Sequence, residues 1–170
     1  MSMVCESIAD TLAGRGANLT GTDFEGAILH RIMQRGYLEI NKRDKARVAD
    51  MVASRSWGQL SRLGDRWCSR QQYCGDKPDG KRLRTDFFLF DRVAFPQGLL
   101  IESKYQQVGG SVDEKLPWTV EFLSMQPSKA ILIVDGGGAH EGMVKYVTLK
   151  SAQTANVTVH NFMSFYRLAL

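Results

Sequence analysis

Two apolar runs near the middle of the chain set the pattern for the rest. The first is Thr85-Asp86-Phe87-Phe88-Leu89-Phe90, and the second, after a short link, is Gly98-Leu99-Leu100-Ile101-Glu102-Ser103-Lys104-Tyr105-Gln106. Each has the length and composition of a strand, and the pair predicts a hairpin. Strand side chains alternate between faces, so Glu102, Lys104 and Gln106 share one face while Ile101 and Ser103 take the other. A turn centred near Ala94 and Phe95 places Asp86 opposite Ser103, beside Glu102 and Lys104, with a bulge able to move the pairing by one residue. The same register sets Asp91 opposite Gly98, at the far end of the hairpin.

The remaining pattern alternates helices with strands. Ser7 to Ala13 predicts a short helix ended by Gly14 and Gly16. Thr22 reads as the N-cap of the next helix, with Glu25 completing a capping box, Phe24, Ile28, Leu29 and Ile32 at helical spacing, and Gly36 as the stop. Asn41 to Ala53 is a second helix with a modest apolar face of Ala46, Val48, Ala49 and Val52. Between Ser54 and Tyr73 two readings stay open: a helix face of Trp57, Leu60, Leu63 and Trp67, or a first strand from about Arg66 to Tyr73. Residues 75–82 form a charged, turn-rich loop. Ser111 with Glu114 begins another helix, whose Trp118, Phe122 and Leu123 are expected to face a core, with Pro117 limiting its start. Ala130 to Asp135 is a short strand apolar on both faces. Glycines 136–138 reverse the chain, a helix follows over about 139–151, Asn156 to His160 is a last strand, and Phe162 to Leu168 a last helix. This order places the chain in the α/β class, with a mixed sheet flanked by helices.

Length and composition narrow the class. The 170 residues, 44% hydrophobic and 24% charged, describe an ordinary globular chain of one domain, residues 1–170. No apolar run reaches membrane-spanning length, and the first residues lack the basic start and apolar core of a secretory signal. Three cysteines, Cys5, Cys68 and Cys74, cannot all pair internally, which suits a reducing compartment and a cytoplasmic location. The net charge of +4 is unevenly spread: residues 31–84 hold 14 Lys/Arg against 6 Asp/Glu, a local +8, which leaves −4 elsewhere. A basic segment beside an acidic site suits a nucleic-acid partner.

The acidic site is the hairpin's open end. Two carboxylates, Asp86 and Glu102, offer hard oxygens to Mg²⁺. Such an ion holds a phosphate oxygen and acidifies a bound water, while Lys104 orients that water or offsets transition-state charge. Competing chemistry is weaker. Cys68 and Cys74 lack the paired spacing of a zinc site and read as buried small hydrophobes. The glycines after Asp135 lack the lysine of a nucleotide-binding loop. Asp79, in Pro78-Asp79-Gly80, is turn chemistry and falls outside the hairpin. His160 reads as a strand-end residue.

Asp86 followed by Glu102-Ser103-Lys104 resembles the PD-(D/E)xK nuclease superfamily, here with Thr85 in place of the proline. The longer run Lys104-Tyr105-Gln106-Gln107, with residues 110–117, looks like a small bacterial and phage subfamily. The resemblance covers about residues 22–160, with 41–80 as a variable basic insertion, and implies a restriction-endonuclease-like fold with an α-β-β-β-α-β core. It implies a Mg²⁺-dependent endonuclease, with Mn²⁺ able to substitute, that cuts double-stranded DNA to leave 5′-phosphate and 3′-hydroxyl ends. Asp86, Glu102 and the Ser103 carbonyl would hold the metal, and Lys104 would assist the water. Gly21-x-x-x-Glu25 looks like the superfamily's first-helix glutamate, which would complete the shell directly or through water. Gln106 resembles the polar residue that contacts phosphate or positions water. Lys81, Arg82, Arg84, Lys42, Arg43 and Lys115 would meet the DNA backbone. A restriction, homing or phage role fits, in a bacterial or phage-infected cell, with a homodimer or homotetramer cutting both strands. A junction resolvase, an RNA hydrolase and a non-cutting DNA-binding protein on the same fold are the alternatives.

Overall fold

A computed structural model of the chain describes residues 20–77, 80–107 and 112–170. The expected Ser7 to Ala13 helix, the Pro78-Asp79 turn and the Ser111 cap lie outside them. Helix α1 (Gly21–Gln34) leads to a two-residue strand β1 (Leu38–Glu39), helix α2 (Lys42–Ala53) and a 3₁₀ helix (Trp57–Leu63). Strands β2 (Arg66–Asp76), β3 (Arg82–Asp91) and β4 (Phe95–Tyr105) follow. Then come α3 (Val112–Ser124), β5 (Lys129–Asp135), α4 (Glu141–Ala152), β6 (Val157–His160) and α5 (Phe162–Arg167). The six strands form one sheet in sequence order. Strands β2, β3 and β4 are an antiparallel meander, while β1 joins β2, and β5 and β6 follow β4, in parallel. This is the mixed α/β sheet flanked by helices that the pattern predicts.

Strict alternation along β3 and β4 divides the core in two. Phe88, Phe90, Leu100 and Leu132 point to one face, under Val48 and Val52 of α2, Leu116, Val120 and Leu123 of α3, and Val147 of α4. Phe87, Leu89, Leu99, Ile101 and Ile133 point to the other, under Phe24, Ile28 and Ile32 of α1 and Phe162 and Phe165 of α5. Each large side chain so buried contributes about 1.5–3 kcal/mol. The ambiguous segment resolves by splitting. Trp57 to Leu63 is the 3₁₀ helix, and Trp67 belongs to β2, where it packs on Phe88 and Phe90 and donates its indole N–H to the Leu60 carbonyl.

Three local expectations are corrected. The capping box of α1 is made by Thr20 and Asp23: the Asp23 N–H donates to Thr20 Oγ1 at 3.2 Å, and the Thr20 N–H to Asp23 Oδ2 at 3.0 Å. Glu25 lies two residues further into the helix and is released from capping. The hairpin register is also displaced. Phe87 pairs with Ile101 and Leu89 with Leu99, but Asp91 pairs with Phe95, not with Gly98. Extra residues on β4 bulge at Gly98, whose φ is +82° and where an added Cβ would lie 2.2 Å from the Phe88 ring. Only glycine fits there. Lastly, α3 buries Leu116, Val120 and Leu123, at i, i+4 and i+7, and this turns Trp118 outward, 63% exposed.

Candidate active site

The β3–β4 ladder ends at Phe87–Ile101. Beyond it β3 stays with β2 as far as Arg82–Asp76, and β4 stays with β5 as far as Tyr105–Asp135. The sheet forks here, and the predicted acids stand in the fork. By the ladder's count Asp86 faces Glu102, one residue from the expected Ser103. The Asp86 N–H donates to Glu102 Oε2 at 3.3 Å, and Asp86 Oδ2 accepts from the Ser103 N–H at 2.7 Å and its hydroxyl at 2.8 Å. Lys104 Nζ reaches Glu102 Oε1 at 2.5 Å. Asp86, Glu102, Ser103 and Lys104 therefore converge, as the register of a forked hairpin requires.

The fork is electrostatically loaded. Burial is the main cause of a Glu102 carboxyl held above its usual range; Lys104 pulls it down and Asp86 pushes it up. Burial, then the charge of Asp86, also raises Glu25, against Lys104 and Arg70. Glu25 thus approaches the fork from the α1 face, held there by Phe24, whose ring lies 5.0 Å from that of Tyr105 beside Lys104. Among the described residues no three His, Cys, Asp or Glu side chains form a metal-ligand cluster. Asp86 and Glu102 nevertheless fit a hard divalent cation. Burial and the charge of Asp86 both raise the Glu102 carboxyl, and such a cation offsets both. Asp86 Oδ1 and both Glu102 oxygens accept one hydrogen bond each and keep a lone pair to spare.

Two concavities flank the fork. One, of about 370 Å³, is lined by Glu102 and Lys104 together with Arg84, Lys77, Lys115 and Trp118. The other, of about 260 Å³, is lined by Glu25, Lys42, Lys45, Arg70 and Gln71 among others. Burial, then the neighbouring charges of Arg84 and Arg70, push the Lys45 ammonium below its usual range. Arg70 is paired with Glu39, which lines the same concavity, at 2.9 Å, and an anionic ligand would relieve what Lys45 still feels of Arg84 and Arg70. Lys42, Arg84 and Lys115, three of the residues expected to meet the DNA backbone, line these surfaces. Lys81 and Arg82 stand further out, at the start of β3, where the Arg82 guanidinium lies over the Tyr73 ring. Arg43 is exposed in the first turn of α2. Gln106 lies just past β4, and its backbone ties that strand to Asp135 and Gly138.

Gln71 escaped the sequence reading. It lies opposite Asp86 between the pairs Arg70–Phe87 and Gln72–Thr85, and its side-chain amide donates to Asp86 Oδ1 at 2.9 Å. Its φ of +48° is unusual for a residue with a side chain, and within a strand it marks local strain. Two glutamines in a row carry no pattern that would announce it. Cys68 and Cys74 are buried thiols, both pushed up to about 12 chiefly by burial, as small hydrophobes would be. His160 ends β6. No described helix is long and apolar enough to cross a membrane.

A family model described as a PD-(D/E)XK nuclease superfamily domain matches residues 16–169 of the chain. No curated protein and no solved structure matches it.

Proposed function

As the chain belongs to the PD-(D/E)XK nuclease superfamily, we propose that it is a Mg²⁺-dependent endonuclease that hydrolyses phosphodiester bonds of DNA. The observation that carries this reading is the meeting of Asp86, Glu102 and Lys104 where the sheet forks, between two basic concavities. Asp86 and Glu102 would hold the metal. A strand residue's N–H and C=O lie along the same edge. The Ser103 carbonyl therefore opens toward the edge from which its N–H reaches Asp86. It is the natural third oxygen, and Glu25 would act through water. The bound ion supplies Lewis acidity toward the phosphate and a water of lowered pKa. Lys104 gives up part of its pairing with Glu102 to orient that water and to balance the charge that develops on the phosphate oxygens. Lys42, Lys45, Arg84 and Lys115 bind the phosphates on either side, which positions the backbone without reading its sequence.

The test is incubation of supercoiled plasmid with the wild-type protein and with Lys104→Ala, each with and without Mg²⁺. Nicked or linear product with wild type and Mg²⁺ alone is the expected result. Metal-independent binding by both proteins with no cleavage would replace the enzyme with a DNA-binding module.

A further inference from the structure

Trp118 is the one large exposed hydrophobic side chain, among the described residues, that lines the concavity holding Glu102 and Lys104. Isolated surface apolar residues need no explanation, but this one has an ordered setting. Its ring stacks at 27° on that of Phe122, one turn further along α3, with centroids 6.3 Å apart. The Lys77 ammonium lies 5.3 Å from the Phe122 centroid. Lys115, one turn before Trp118 on α3, and Arg84 complete the rim. The concavity, about 370 Å³, is in the size range of small-ligand sites. The combination is a flat aromatic platform, cations at its edge, and the candidate catalytic amine at its floor.

A continuous duplex offers a protein only base edges and phosphates, because its base faces are stacked on one another. An exposed indole beside a phosphate-binding rim is matched by the face of an unpaired base. We propose that this concavity takes a single unpaired nucleobase adjacent to the scissile phosphate, stacked on Trp118, with Arg84 and Lys115 holding the flanking phosphates. The inference rests on the nuclease reading and deepens it. The preferred substrate is DNA with an extrahelical or single-stranded nucleotide at the cut, not uninterrupted duplex.

Two measurements test it. In the first, wild type, Trp118→Phe and Trp118→Ala cleave, with Mg²⁺, two duplexes of one sequence, fully paired or carrying one unpaired nucleotide. Wild type should prefer the unpaired substrate by about tenfold or more. Trp118→Phe should keep most of that ratio, and Trp118→Ala should lose it. In the second, without divalent metal, 2-aminopurine at the unpaired position reports stacking. Its fluorescence should fall on binding wild type and not on binding Trp118→Ala. Cleavage with no preference and no quenching would overturn the pocket while leaving the nuclease intact. Quenching without any cleavage would overturn the nuclease while leaving the pocket. A preference that survives in Trp118→Ala would show that the discrimination lies elsewhere and would sink the proposal.

Discussion

Asp86 and Asp91 stand five residues apart on one strand, and the hairpin treats them oppositely. At its closed end Asp91 Oδ1 accepts the N–H groups of Val93 and Ala94, each at 2.9 Å, and Oδ2 meets Arg66 at 2.8 Å. Burial by itself would raise that carboxyl, but the two N–H groups and the guanidinium outweigh it and hold it below its usual range. At the forked end burial and Asp86 push Glu102 the other way, and Lys104 only partly offsets them. One acid is matched entirely by its own fold. The other pair gathers negative charge that the protein leaves incompletely matched. That difference separates a structural carboxylate from one available to a ligand.

The largest expected effect divides the two ends by function. Asp86→Asn or Lys104→Ala should lower the cleavage rate by about 10²–10³-fold or more. Asp91→Asn should leave the rate per folded molecule unchanged, measured well below its melting temperature. Loss of cleavage in folded Asp91→Asn would erase the contrast.

Stability should divide them the other way. Asp91→Asn should lose about 1–3 kcal/mol of unfolding free energy in urea at neutral pH, as a charge-assisted hydrogen-bond set is weakened. The sign of its pH dependence follows from the lowered carboxyl. The folded state holds the proton less readily than the unfolded chain, so the contribution is complete above the ordinary value of 3.8 and disappears as pH falls through the lower native one. The gap between wild type and variant should therefore close in acid. Glu102→Gln should move the opposite way. Its raised carboxyl makes the charged form a liability that grows as pH rises above 4.5. The variant should melt higher than wild type at pH 7 without divalent metal, and should not gain the further rise that Mg²⁺ gives wild type. A lower melting temperature for Glu102→Gln would show that the Lys104 ion pair outweighs the burial it accompanies.

The smallest effect concerns Gln71. Gln71→Gly relaxes the positive φ while removing the amide that steadies Asp86. Its melting temperature should stay level or rise slightly, and its cleavage rate should fall by about tenfold, as for loss of a group orienting a metal ligand. An unchanged rate would reduce Gln71 to a packing detail of β2.

Much of this was legible because strand alternation is a rigid rule. Once Leu99 to Ile101 was read as a strand, Glu102 and Lys104 had to share a face, and the spacing to Asp86 brought it within one residue of its true partner. Side-chain periodicity says nothing about where extra residues accumulate, so the bulge at Gly98 moved Asp91 from its expected partner. Thr22 has Glu25 three residues on, but Thr20 has Asp23 at the same spacing, and it is the Thr20–Asp23 box that forms. Trp118 looked like core because tryptophan usually is. The face of α3 that Leu116, Val120 and Leu123 require for burial decided otherwise. Gln71 was invisible, since a strained backbone torsion leaves no compositional trace unless glycine marks it.

The most direct test of the fork as a metal site is titration of Mn²⁺ into wild type, Asp86→Asn and Asp91→Asn, followed by the loss of the free-ion electron paramagnetic resonance signal. Convergence of Asp86 with Glu102 predicts that wild type and Asp91→Asn bind alike and that Asp86→Asn binds at least about tenfold more weakly. Equal binding by all three proteins, or weakening in Asp91→Asn alone, would contradict it.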